Sequence, residues 1–199
     1  MWRLCSQEQL FSHTIKRARK HGKKPGPPVC DDLVKRAFTA NSINELWLTD
    51  ITEDHTGEGR LYMCAVKDVF SNKIVGYAIA SRMKSRRAVA AIEDAVARSG
   101  GPRAVAGCVV HSERGSQFRS RKFQHALKRL GLVGSMGRVG AAGDDAAMES
   151  FFAVLQKNVL DRWRWQIRAP LRTPIAHWVE RTYHRKRRQR RLGKLAHRN

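Results

Sequence analysis

Leu46-Trp-Leu-Thr-Asp-Ile-Thr52, Leu61-Tyr-Met-Cys-Ala-Val-Lys-Asp-Val-Phe70 and Lys73-Ile-Val-Gly-Tyr-Ala-Ile-Ala80 are three apolar, β-branched runs set close together. Short connections, such as the polar Ser71-Asn72 turn, favour antiparallel neighbours, so residues 45–81 predict a three-stranded meander. Downstream the period changes. Ser85 is placed to cap a helix with Val89, Ile92 and Val96 on one face, and Gly100-Gly101-Pro102 stops it. Val105 to His111 reads as a buried strand. Phe123, Leu127 and Leu130 then fall at helical spacing, and Leu132 to Met136 is short enough for one more strand. Glycines at 134, 137, 140 and 143 loosen the backbone there. Asp144 is placed to cap a helix through about Leu160, with Ala147, Phe151 or Phe152, and Leu155 inward. Thr173-Pro174 resembles a cap followed by proline at the first helical position, with Leu171, Ile175, Trp178, Val179 and Thr182 on one stripe. Together these elements predict an α/β protein, a mixed five-stranded sheet with helices on both faces.

Composition narrows the class. The 199 residues are 42% hydrophobic and 28% charged, which excludes a wholly disordered chain, a collagen and a disulfide miniprotein. No run approaches the roughly 20 apolar residues of a membrane span. Met1-Trp-Arg-Leu-Cys-Ser does not lead into an apolar run either, so the expected address is cytoplasmic. Cys5, Cys30, Cys64 and Cys108 are scattered with no Cys-x-x-Cys pair, which argues against structural zinc. Cys64 and Cys108 lie within apolar runs and read as buried hydrophobes.

Charge is the abnormal quantity. Thirty-nine Lys and Arg face 17 Asp and Glu, a net of +22. Residues 1–36 carry +6, residues 37–159 only +5, and residues 160–199 carry +11. A balanced middle with two polycationic extensions raises the local concentration of any polyanion. DNA is the favoured partner, because neutralising phosphates releases counterions. Basic membrane helices would need a broad apolar face as well, and no membrane partner is expected.

Acidic residues in structured surroundings stand out against that background. Asp50 lies inside the first apolar run, where a bare carboxylate costs several kcal/mol unless paired or metal-bound. Glu113 follows the Val105–His111 run, at a strand tip where α/β sheets place ligands. Glu149 lies one to two turns into the helix opening at Asp144. Singly, each is as well explained by an ion pair with one of the many arginines. Converging, they could hold Mg²⁺ or Mn²⁺, whose hard oxygen coordination suits carboxylates and serves phosphoryl transfer.

Trp47-Leu-Thr-Asp50-Ile-Thr, Val110-His-Ser-Glu113-Arg-Gly-Ser-Gln-Phe118 and Gly143-Asp-Asp-Ala-Ala-Met-Glu149-Ser-Phe-Phe together resemble the three catalytic signatures of retroviral-integrase-core transposases. More closely, they are similar to the catalytic subunit of the IS-three group of insertion sequences. Thirty-five residues separate Glu113 from Glu149, the spacing of that group. Lys67-Asp-Val-Phe-Ser-Asn, Ser135-Met-Gly-Arg138 and Trp178-Val-Glu-Arg-Thr-Tyr-His-Arg185 resemble its linking segments, so the likeness covers roughly residues 30–195.

The resemblance implies a ribonuclease-H-like fold and metal-dependent strand cleavage and transfer without a covalent protein intermediate. Asp50, Glu113 and Glu149 would be the catalytic and metal-binding acids. Arg114, Gln117, Arg138, Gln156, Lys157, Arg185, Lys186, Arg187 and Arg188 would contact DNA, while Gly115 reads mainly as a strand terminator. It further implies a homo-oligomer on transposon ends and target duplex, a nucleoid address and a separate helix-turn-helix subunit. The implied divisions are a basic linker or remnant of an upstream DNA-binding region over 1–40, an integrase catalytic core over 41–165, and a C-terminal helix with basic tail over 166–199.

Three departures from the family pattern matter. Glu113 stands where the group carries Asp, Asp145 stands where Asn is common, and both ends read as clipped, as in a truncated or frameshifted copy. A longer side chain at 113 shifts its carboxylate by about one bond, which Mg²⁺ tolerates poorly. Besides an active transposase core, the sequence therefore allows a catalytically dead remnant that binds DNA non-specifically. A nuclease of the same fold without strand transfer also remains open.

Overall fold

β1 (Leu46–Thr56) and β2 (Gly59–Asp68) form a hairpin across Gly57 and Glu58, and β2 returns through a tight turn into β3 (Ile74–Ala80). The structure, a computed structural model, describes residues 26–137 and 146–185. Both pairings are antiparallel, as the closely set runs predict. Asn72 takes a φ of +58° in the second turn, a left-handed conformation that Asn tolerates better than most residues. Asp68 fastens that turn by accepting from the Ser71 amide and hydroxyl, each at 2.7 Å.

The chain then leaves the meander and returns twice in parallel. β4 (Val109–Ser112) pairs beside β1, and β5 (Val133–Met136) pairs beside β4. The spatial order β3-β2-β1-β4-β5 gives the expected mixed five-stranded sheet. Alternate side chains of β1 point to opposite faces, and each face has its own core. Trp47, Cys64, Val66 and Val110 pack under α1 (Ser85–Arg98) and α2 (Arg121–Arg129) through Ala91, Ile92, Ala95, Phe123 and Leu127. Leu46, Leu48, Met63 and Ala65 pack under α3 (Ala146–Asn158) and α4 (Arg168–His177) through Met148, Phe151, Leu155, Leu171 and Ile175. Upstream of β1, Val34 and Ala40 are buried in this second core. The helix-on-both-faces arrangement is therefore present.

Local boundaries differ from the sequence reading. β4 has four residues rather than seven: Val105 and Cys108 are buried, but the chain around them turns. An apolar run shows burial, and burial alone does not fix extended geometry. Lys84, not Ser85, is the cap of α1, and no side chain caps it. α4 starts at Arg168, five residues before Thr173, with Pro170 in its first turn and Pro174 inside. A first-turn proline loses no helical hydrogen bond, so Pro170 opens the helix and Pro174 is carried within it. The Leu171, Ile175, Trp178 and Val179 stripe is buried as predicted, and it runs on into π-helical turns over Trp178–Tyr183. α3 ends at Asn158, followed by a 3₁₀ turn at Leu160–Arg162. Asp144 and Asp145 lie outside the described residues.

Candidate active site

Asp50 is the fifth residue of β1, on the same face as Leu46 and Leu48 by strand alternation and therefore toward α3. It is half-buried, pairs across the sheet with Ala65, and its Oδ1 accepts from the Ile51 amide at 2.6 Å. The parallel register of β1 and β4 sets Thr49 opposite Ser112. One residue further along each chain come Asp50 and Glu113. Glu113 is exposed and follows the last residue of β4, so the register sets it at the tip of β4, beside the middle of β1 where Asp50 lies.

The turn carrying Glu113 is held by its own polar groups. His111 is buried and its Nδ1 lies 3.0 Å from Ser135 Oγ, while that hydroxyl also accepts from the Leu33 amide at 3.0 Å. The Ser112 carbonyl accepts from the Gly137 amide at 3.2 Å, and Arg114 Nε donates to the Gly137 carbonyl at 2.9 Å. Arg114 thus braces the turn from behind. A Cβ on Gly115 would lie 3.3 Å from Glu113 Oε1 and 3.2 Å from Gln117 Oε1. The ends of both side chains would have to shift slightly to admit it.

Glu149 lies in the first turn of α3 and is exposed, while its neighbours Met148 and Phe151 anchor that helix on the Asp50 face. Sequence reasoning missed the residue that ties the two elements. Lys67 is only 5% exposed, pairs with Leu48 and so shares the Asp50 face, and its Nζ donates to the Ala147 carbonyl at 3.0 Å. A charged residue in the otherwise apolar Leu61–Val66 neighbourhood was the available signal, since a buried ammonium needs partners.

The donor set suits a hard cation. Mg²⁺ is commonly held by one or two carboxylates plus phosphate and water, and Asp50 and Glu113 are of that donor type. Among the described residues, however, no three His, Cys, Asp or Glu side chains gather into a metal-holding group, so Glu149 is not drawn into such a group with the other two. Burial pushes the Cys64 thiol up to about 12, against an opposing hydrogen bond from Thr49. It pushes Cys108 up to about 12 as well. Both are core thiols, as their apolar settings imply.

The proposed DNA contacts have varied surroundings. Gln156 Nε2 donates to Asp161 Oδ1 at 2.6 Å, and it also bonds the Asp54 carboxyl, which burial holds above the usual range. Gln117 is half-buried, whereas Lys157 and Arg185 are exposed. Arg138, Lys186, Arg187 and Arg188 lie outside the described residues. No helix among the described residues is long and apolar enough to cross a membrane.

Residues 40–142 match the family of the integrase core domain. The chain is 34% identical over 180 residues to the transposase for insertion sequence element IS904 of Lactococcus lactis, covering 89% of this chain and 70% of that protein. It is 34% identical to the insertion element IS600 uncharacterized 31 kDa protein of Shigella sonnei, over 96% of this chain and 67% of that one. It is 35% identical to the transposase InsF for insertion sequence IS3A of Escherichia coli, over 86% of this chain and 58% of the relative. Among solved structures, the HTLV-2 integrase catalytic core domain in complex with magnesium superposes with a TM-score of 0.61 at 17% identity, over 79% of this chain and 96% of that one. The strand order, the two helical layers and these likenesses agree, and the chain belongs to the integrase core domain family, beside the transposases of IS3-type insertion sequences.

Proposed function

We propose that this chain is the catalytic core of a transposase that cuts DNA strands and joins them to a target with a divalent ion. The observation that supports the reading is the β1–β4 register, which pairs Thr49 with Ser112, the residues that immediately precede Asp50 and Glu113. Asp50 and Glu113 would hold Mg²⁺ or Mn²⁺, with Glu149 as the third acid from α3. Bound there, the ion supplies Lewis acidity toward a phosphodiester and its attacking oxygen. Lys67 positions α3 against the sheet, and Gly115 keeps the Glu113 turn open. Arg114, by holding the Gly137 carbonyl, fixes where that turn points.

DNA is the substrate this reading requires, and the net charge of +22 provides the attraction. A multimer gripping two DNA ends, a separate helix-turn-helix subunit and a cytoplasmic, nucleoid-associated address belong to the same proposal. So do the three divisions at residues 40 and 165. The magnesium-bound integrase core with the same fold supports the choice of ion.

Oligonucleotide strand transfer with Mg²⁺ or Mn²⁺, run beside Glu149→Gln, tests the proposal. Joined product should require metal and fall by at least about 100-fold in the variant. Salt-sensitive DNA binding without joined product would instead establish the catalytically dead remnant. Cleavage without joining would establish a nuclease of the same fold.

A further inference from the structure

The segment between α3 and α4, Leu160-Asp-Arg-Trp-Arg-Trp-Gln-Ile167, carries two tryptophans in opposite situations. Trp165 is half-buried and its indole N–H donates to the Leu160 carbonyl at 3.1 Å. Trp163 is 72% exposed, more than any other large apolar side chain among the described residues. An indole commonly buries about 150–250 Å² when it has a partner, so leaving it in water forgoes a large gain.

Trp163 stands on a fixed ledge. The Gly57 and Glu58 amides at the β1–β2 hairpin tip donate to the Trp165 and Gln166 carbonyls, each at 2.9 Å. Glu58 Oε2 in turn accepts from the Arg168 amide at 2.9 Å and from its Nε at 3.2 Å. The ledge borders a cleft of about 730 Å³ with Asp54, Gln156, Arg162 and Arg164 in its walls. Among the described residues neither Arg162 nor Arg164 is in an ion pair. Asp161, the acid next to them, is occupied by Gln156.

The cleft lies on the same sheet face as Asp50. Asp54 shares the Asp50 face and lies four residues along β1, about 13 Å away. Gln156 is seven residues beyond Glu149, about 10 Å along α3. A strand leaving the acids in this direction meets an exposed indole between two guanidiniums. Indole faces stack on any base, and guanidiniums pair with phosphate. A duplex hides its base faces, so only an unpaired base can use the indole.

We propose that Trp163, Arg162 and Arg164 form a platform for single-stranded DNA, the indole stacking on one unpaired base and the guanidiniums taking the flanking phosphates. The inference rests on the reading of the chain as a DNA-processing core.

The test uses the full chain in chelator, so that binding is measured without cleavage. Fluorescence anisotropy compares a labelled single strand of about 20 nucleotides with the matching duplex, for wild type, Trp163→Ala, Trp163→Phe and Arg162→Gln/Arg164→Gln. Trp163→Ala should weaken single-strand binding about tenfold and duplex binding by less than about twofold, and Trp163→Phe should restore most of the loss. The double arginine variant should flatten the salt dependence of single-strand binding. Thermal melts should be unchanged, since the indole is exposed. No loss in Trp163→Ala, or equal loss on both DNAs, overturns the platform. So does concentration-dependent self-association that Trp163→Ala abolishes, which would make the indole a protein contact. Wild type that binds neither DNA overturns the platform and the transposase reading together. Trp163-dependent single-strand binding without Glu149-dependent joining upholds the platform and overturns only that reading. Glu149-dependent joining with Trp163-independent binding does the reverse.

Discussion

In the proposed reading, Glu113 is the residue on which activity would turn. It holds the charge that the family pattern supplies with Asp, on a side chain one methylene longer. Octahedral ions are sensitive to such displacement, and misplacement of about 1 Å can cost about 100-fold in rate. Glu113→Asp should therefore raise metal-dependent strand transfer, by about tenfold or more in the oligonucleotide assay. Equal rates in the two proteins would show that the turn at Gly115 already accommodates the longer acid. The three acids stand out in the sequence because carboxylates in a strongly basic chain are conspicuous and their spacing resembles a known pattern, whereas their convergence is not visible there and, among the described residues, no three acids gather. Lys67 and Trp163 were not. One more cation among 39, or one more aromatic in an Arg-rich run, acquires meaning only when burial is known.

At the scale of elements, α1 comes close to the backbone of β3 at Gly76. A Cβ on Gly76 would lie 2.5 Å from the Ala91 carbonyl oxygen and 2.6 Å from Ala95 Cα, so the helix rests directly on strand backbone. Ala88, Ala91 and Ala95 make the approach possible from the helix side. Gly76→Ala should destabilise the fold by about 3 kcal/mol, read as a lowered urea midpoint, because neither backbone can yield. A midpoint unchanged from wild type would mean that the layer is looser than these distances require. The element list was largely legible, since period-2 runs close together specify a meander and period-3.6 stripes specify helices. Two boundaries were not. The Val105–His111 run mixed a buried turn with a strand, and Pro170 and Pro174 gave competing signals for one helix start.

On the scale of the whole molecule, charge and fold are separable. The cores are apolar on both sheet faces, and among the described residues Lys67 is the one Lys or Arg that is buried. Exposed ion pairs such as Arg60–Glu53 and Arg168–Glu58 contribute little stability each. Duplex affinity should fall by about 1,000-fold or more between about 50 and 200 mM salt, as neutralising six or more phosphates entails. A flat response in a salt titration would exclude phosphate-driven binding. The mixed sheet was legible in the alternation of strands and helices after the meander, whereas the order β3-β2-β1-β4-β5 was not, because strand order is decided by packing rather than by period.

The bridge from the hairpin tip to Trp165 and Gln166 has a mechanical meaning. Whatever seizes residues 162–166 also pulls on the end of the longest strand pair. In the proposed reading that load would pass along β1 toward Asp50, so tension on a captured strand would be felt at the acids through the backbone itself.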